Sequence, residues 1–319
     1  MAKKIRSDPK NGVLKRVIMI FFDGIGVGID DPEINPFSRT RTLLSYFSHE
    51  GRIQEGPENG FMAAADATLQ IPGIPQSATG QATLFSGQNA ARLLNRHLPA
   101  FPNAHLRSLL REYSLFKQLG AMGLSTAFIN AYRPLFFKLT EERQWCLSAT
   151  TIAALSAGLP FFHIEDIIQK KALYHDFTNA PLIAMNYDMP LYTPEDAAAT
   201  LAEASKPYDF SLYEFFLSDR LGHRQDMNKA EELIGRLDRF LKHLLRLLPM
   251  EETLVLVASD HGNLEDLSVN THTMNPALIL GWGHGARCFV FGIQSLEDIV
   301  PAILKQAREI GNAHETLHL

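Results

Sequence analysis

Two stretches of this sequence pair a carboxylate with an imidazole at close spacing. In Asp219-Arg220-Leu221-Gly222-His223 they stand four residues apart, and in Asp260-His261-Gly262-Asn263 they are adjacent. A further imidazole follows in Thr271-His272-Thr273, and a further carboxylate lies far upstream in Asp23-Gly24-Ile25-Gly26. Imidazole and carboxylate ligands together suit divalent zinc, manganese or iron. Two such ions about 3.5–4 Å apart can clamp the attacking and leaving oxygens of a phosphoryl displacement. Asp23, Asp219, His223, Asp260, His261 and His272, joined by the hydroxyl of Ser77, supply enough ligands for a pair of ions.

The elements before these residues are of one kind. Val17 to Phe22 is a continuous apolar run ending at Asp23, which reads as a strand buried on both faces. Tyr208 to Leu217 reads as another and ends at Ser218-Asp219; Thr253 to Ala258 is a third and ends at Ser259-Asp260. One strand-terminal aspartate means little, because aspartate is a common turn former. Three of them, two beside a histidine, form a pattern. In an open parallel sheet ligands bind beyond the carboxyl ends of the strands, so the three carboxylates are expected to face one crevice.

The remaining elements fit such a sheet. Asp30 to Phe37 reads as a turn, and Ser77 to Gly87 as a loop leading into a short helix after Pro72, Gly73 and Pro75. Residues 105–122 have helical spacing, Thr126 to Ala131 looks like a strand, and 132–192 shows no ordered pattern. Thr193-Pro194 is a helix start, with the helix running to about Ala204. Residues 228–248 form an amphipathic helix whose leucine-rich face is for packing. Ala277 to Gly281 is one more strand, and Ser295 to Gln306 a closing helix. Strand–helix alternation of this kind predicts an α/β fold in three layers, a mostly parallel sheet with helices on both faces.

Taken in order, Asp23-Gly24-Ile25-Gly26-Val27-Gly28, Ser77-Ala78-Thr79-Gly80, Asp219 to Asp226, Ser259 to Asn263 and Thr271-His272-Thr273 resemble the motifs of the alkaline phosphatase superfamily. Within it the chain is most similar to the cofactor-independent phosphoglycerate mutase and phosphopentomutase branch. The resemblance implies two divalent ions, manganese or zinc. One would be held by Asp219, His223 and His272, the other by Asp23, Asp260, His261 and the Ser77 oxygen. It also implies Ser77 as nucleophile and a phosphoserine that passes to water or to a second hydroxyl. The expected reaction is hydrolysis of a small phosphate monoester. A phosphomutase, a diesterase or phosphonate hydrolase, and a non-catalytic metal-binding protein are the rivals. A sulfatase is disfavoured, since Ser77-Ala78-Thr79 lacks the Cys/Ser-x-Pro-x-Arg pattern.

Two departures stand out. Gln81 occupies a position where the mutases have histidine, and only about 140 residues separate Ser77 from Asp219. The mutases carry a large cap there. The expected organisation is therefore a catalytic core from 1–95 and 205–319, with 96–204 partly core and partly a small cap or lid.

Other residues are read more plainly. Thr79 and Ser86 are rival hydroxyls, and His97, His163 and His284 are outside chances for the site. Arg133, Arg224 and Gln81 are candidate phosphate contacts, since a guanidinium fork matches phosphate oxygens. Gly24, Gly26 and Gly28 are spaced Gly-x-Gly-x-Gly, which is not the dinucleotide-binding spacing. Cys146 and Cys288 are too few for a disulfide framework and are expected to be buried apolar fillers.

With 46% hydrophobic and 20% charged residues, the chain can bury a sizeable core. A net charge of −5 argues against a nucleic-acid partner, and the basic run Lys3, Lys4 and Arg6 reads as a solvated tail. No apolar stretch reaches the ~18–20 residues of a membrane span, and residues 1–16 lack a signal-peptide h-region, so a cytoplasmic location is expected. Oligomeric state is not legible.

Overall fold

Val17 to Phe22 make up most of strand β1 (Arg16–Phe22), and their side chains alternate between two cores. Val17, Met19 and Phe21 enter one apolar cluster, while Ile18, Ile20 and Phe22 enter the other. A central strand covered on both sides has no polar face to offer, which explains the unbroken apolar run. The computed structural model describes residues 13–317, so Lys3, Lys4 and Arg6 lie outside the described residues.

The other strands are β2 (Ile53–Glu55), β3 (Phe61–Ala65), β4 (Thr126–Phe128), β5 (Ala131–Tyr132), β6 (Phe162–His163), β7 (Phe210–Phe215), β8 (Thr253–Ala258) and β9 (Ala277–Gly283). The main sheet has the order β2-β3-β9-β8-β1-β7-β4. Strands β4, β7, β1 and β8 run parallel, β9 is antiparallel to β8, and β3 is antiparallel to β9. The sheet is thus mixed but mostly parallel. Its parallel centre carries Asp23, Asp219 and Asp260 to one edge of the molecule.

Helices cover both faces. Ser77–Ser86, Ala104–Tyr113, Leu115–Ala121, Ala149–Ser156 and Ile299–Leu317 pack on the first. Pro194–Ala204 and Met227–Leu247 pack on the second. Thr193 caps the former in a reciprocal box with Asp196, and Asp226 caps the latter. Leu233, Ile234, Leu237, Leu241 and Leu244 lie buried along one stripe of the long helix. Within 131–192, apart from the helix Ala149–Ser156, the paired strands β5 and β6 and the short helices Glu165–Ile168 and Ala180–Ala184 build a further small core around Ile164, Ile167, Tyr174 and Leu182.

Several sequence expectations need correction. The helix expected over 105–122 is two helices broken at Ser114, whose extended backbone (ψ 142°) lets its hydroxyl cap the second. The strand expected to reach Ala131 leaves the main sheet after Phe128. The strand before Asp219 stops at Phe215, and Asp219 sits in a short helix, Leu217–Gly222. The segment Asp30 to Phe37 runs into a helical turn, Pro36–Arg39, capped by Asn35. The closing helix extends well past Gln306, as Ile299–Leu317. Cys146 and Cys288 are exposed, not buried. Cys146 lies just past the short helix Glu141–Gln144, with its Sγ 3.3 Å from the Arg107 guanidinium, and Cys288 faces outward on Ala286–Phe291. Among the described residues no helix is long and apolar enough to cross a membrane.

Leu237 is fully buried in the second core. Leu237→Ala is expected to destabilise the fold by about 2–5 kcal/mol, read as a lower urea midpoint. A shift under about 0.5 kcal/mol would show that this face is not packed as described.

Candidate metal centre

Beyond the carboxyl ends of β1, β7 and β8 the ligand-type side chains fall into two adjoining groups. Asp23, Asp260 and His261 form one, and Asp219, His223 and His272 the other; within each, the candidate ligand atoms lie within 4.8 Å of one another. His261 and His272 stack at 3.8 Å between ring centres and join the groups. The serines of the two Ser-Asp doublets are structural. Ser218 donates to the Asp23 carbonyl at 2.6 Å, and the Ile25 N–H donates to Ser259 Oγ at 2.8 Å, so both loops are pinned to the exit of β1.

Ser77 is the first residue of helix Ser77–Ser86, and its Oγ lies 3.1 Å from His261 Nε2. The preceding turn is tied to the second group, because His272 Nδ1 meets the Pro75 carbonyl at 2.9 Å. His223 Nδ1 likewise meets the Asn270 carbonyl at 2.9 Å. Each of these contacts fixes a tautomer with the proton on Nδ1 and leaves Nε2 as the ligand atom. That atom faces a carboxylate in every case: His223 to Asp219 at 3.5 Å, His272 to Asp219 at 3.3 Å, and His261 to Asp23 and Asp260 at 3.4 and 3.3 Å.

Burial makes this concentration of charge costly. Desolvation, then repulsion from Asp260, Asp219 and Glu214, holds the Asp23 pKa well above its ordinary value. Burial also raises Asp260, with the charge of His261 opposing it. Asp219 moves the other way, to about 2: burial raises it, but hydrogen bonding to His272, the charge of His261 and the Asn263 amide outweigh that. Burial lowers His261, while the Asp219 contact raises His272 against its own burial. Asp23 Oδ1 and Asp260 Oδ2 are buried without a hydrogen-bond partner. Orphaned carboxylate oxygens beside an imidazole kept neutral are the donor set a divalent cation satisfies.

The other candidates fall in different places. Gln81 is buried and donates to Asp23 Oδ2 at 3.0 Å. Arg133 is half-buried, its Nη1 3.0 Å from the Met185 sulfur, and Arg224 is exposed next to His223. Thr79 turns its hydroxyl to the Gln76 carbonyl, and Ser86 to the Ala82 carbonyl. His97 meets the Ile71 carbonyl, His163 stacks on Phe137, and His284 pairs with Glu309.

Residues given no role in the sequence reading also belong here. Asn263 holds Asp219 Oδ1 at 2.6 Å, and Glu265 is buried behind it. Glu214, buried and bonded to the Thr150 hydroxyl at 2.8 Å, has its pKa pushed up to about 7 by burial. Arg220 and Arg133 both act on His175, which burial drives down to about 4. Strand β7 is buried along its whole length, so its sequence does not mark Glu214. Asn263 closes the motif Asp260-His261-Gly262-Asn263, which was the available signal.

The fold is that of the alkaline phosphatases, and the two ligand groups form a candidate metal centre on it. The solved alkaline phosphatase of the Antarctic bacterium TAB5 superposes with a TM-score of 0.53 at 16% identity, covering 93% of this chain and 99% of that one. Residues 177–308 match the family described as the metalloenzyme superfamily. A 2,3-bisphosphoglycerate-independent phosphoglycerate mutase from Gloeothece citriformis is 30% identical over 145 residues, 40% of this chain and 27% of the mutase. A phosphopentomutase from Deinococcus radiodurans is 36% identical over 66 residues, 21% of this chain and 17% of that enzyme. The aligned segments thus span about a third or less of these curated relatives.

The raised pKa of Asp23 has a stability consequence. A folded-state value above the ordinary 3.8 means that the folded, cation-free protein loses stability as pH rises from 3.8 through the raised value. Asp23→Asn is therefore expected to raise the melting temperature of chelator-treated protein at pH 8 and to shrink the rise produced by added manganese. A lower melting temperature without cations would contradict the electrostatic account.

Proposed function

We propose that this chain is a two-cation phosphoryl-transfer enzyme that hydrolyses a small phosphate monoester through a phosphoserine at Ser77. The observation that carries this reading is the position of Ser77 Oγ, 3.1 Å from His261 Nε2 at the start of a helix and beside the orphaned oxygens of Asp23 and Asp260. Asp23, Asp260, His261 and the Ser77 oxygen would hold one cation, and Asp219, His223 and His272 the other, as manganese or zinc. Bound there, the cations neutralise the phosphate oxygens and favour charge transfer from attacking to leaving oxygen.

The chain's own groups account for the rest. Ser77 Oγ attacks phosphorus in line, the ester P–O bond breaks, and the alcohol departs with a proton. Water then displaces the seryl oxygen, releasing inorganic phosphate and restoring Ser77. The positive end of the Ser77–Ser86 helix favours the anionic group during both steps. Gln81 acts through Asp23, which it holds at 3.0 Å. Arg133, with Arg220, places positive charge near His175 for the remainder of the substrate, and Arg224 adds charge beside His223. The small core between 131 and 192 serves as the lid.

A second reading, phosphomutase, is favoured by the segments shared with a phosphoglycerate mutase and a phosphopentomutase. It needs the phosphoserine shielded from water. Phosphate release and isomer formation, measured side by side on phosphoglycerate and pentose phosphate with manganese or zinc, separate the two. Hydrolysis is expected to dominate. Ser77→Ala, Asp260→Asn and His272→Ala are each expected to lower turnover by several orders of magnitude. Equal, negligible turnover in cation-loaded wild type and Ser77→Ala would instead point to a non-catalytic metal-binding protein.

A further inference from the structure

Glu265 is 1% exposed and touches no reacting group, yet four donors converge on its carboxylate. Oε2 accepts from the Gly26 N–H at 2.7 Å and the Asn263 N–H at 2.8 Å. Oε1 accepts from the Thr273 hydroxyl at 2.6 Å and the Asn275 amide at 3.0 Å. A carboxylate has about four lone-pair sites, and all are used here. The donors come from separate ligand-bearing segments: Gly26 follows Asp23, Asn263 follows His261, and Thr273 follows His272. The Asn263 side chain extends the chain of contacts to Asp219, reaching its Oδ1 at 2.6 Å and its carbonyl at 3.0 Å.

We propose that Glu265 is a positioning residue that locks both halves of the candidate metal centre to one another. This rests on the two-cation reading above. One buried carboxylate directly joins the segments that carry Asp23, Asp260-His261 and His272, and Asn263 links the Asp219 segment to them. The Ser77 turn is joined separately, through His272 and the Pro75 carbonyl.

The glycines around Glu265 follow from this. A Cβ on Gly26 would come within 2.6 Å of Glu265 Oε1, and one on Gly262 within 2.3 Å. Only glycine lets the β1 exit loop and the Asp260-His261 loop close on the same carboxylate. The Gly-x-Gly-x-Gly run after Asp23 therefore makes room for Glu265 at its centre. Glutamine is no substitute. Its amide would turn a donor toward two donors, either the Gly26 and Asn263 N–H groups or the Thr273 and Asn275 side chains.

The test is calorimetric titration of manganese into chelator-treated wild type, Glu265→Gln and Asn275→Ala, each at a temperature where it is folded by circular dichroism. Removing such an outer partner weakens cation binding by about 10–100-fold. That loss is expected for Glu265→Gln at both sites. Asn275→Ala, which removes one of the four donors and leaves the fold in place, is expected to lose several-fold at both. A purely structural role would lower the melting temperature and leave the affinity of the folded protein unchanged. Unchanged affinity in both variants, or a loss confined to one of the two sites, overturns the lock while the two-cation reading stands. No manganese binding by wild type defeats that reading and the lock together.

Discussion

Three carboxylates converge where the sheet's parallel centre ends, and burial leaves them with more negative charge than hydrogen bonds can hold. Asp219 is accommodated by His272 and Asn263. Asp23 and Asp260 are not: each keeps a buried oxygen without a partner, and burial pushes both pKa values up. A fold that retains such a cluster is electrostatically incomplete without cations. The other features of the site follow from that. Histidines offer Nε2 because backbone carbonyls take Nδ1, and the Ser77 hydroxyl sits at the edge of the uncompensated group.

The rest of the molecule keeps that arrangement rigid. Strands β1, β7 and β8 are neighbours, so three short loops leave the sheet side by side. Their cross-links run from loop to loop: Ser218 to the Asp23 carbonyl, Ile25 to Ser259, and the Glu265 carboxylate to three segments at once. Helices on both faces fill the two cores and leave the loop edge free for chemistry. This division between a packed sheet and a polar loop edge is the general logic of open α/β sheets.

Much of this was legible in the sequence where physics is local. The apolar run Val17 to Phe22 could only be a strand covered on both faces, and the leucine stripe of Met227–Leu247 could only be a packed helix face. The convergence of Asp23 and Asp260 followed from strand ends and sheet geometry, whereas Asp219 joins them from the short helix Leu217–Gly222 beyond the end of β7. Other features depend on contacts distant in sequence. Ser114 reads equally well inside a helix or as a cap, and only its hydroxyl contact with Lys117 N–H shows which. Cys146 gave no sign that it would face solvent beside Arg107. Glu265 is an unremarked acid two residues beyond a motif until Gly26, Thr273 and Asn275 are seen to surround it. The segment 131–192 resisted reading because its short elements carry no sustained period.

The central claim is that two cations belong in these two groups. Anomalous X-ray diffraction from manganese-soaked crystals measures this directly. The account predicts two anomalous peaks. One should lie about 2.0–2.2 Å from ligand atoms of Asp23, Asp260 and His261, and the other at similar distances from Asp219, His223 and His272. No peak at either group, or peaks only elsewhere on the molecule, would contradict it.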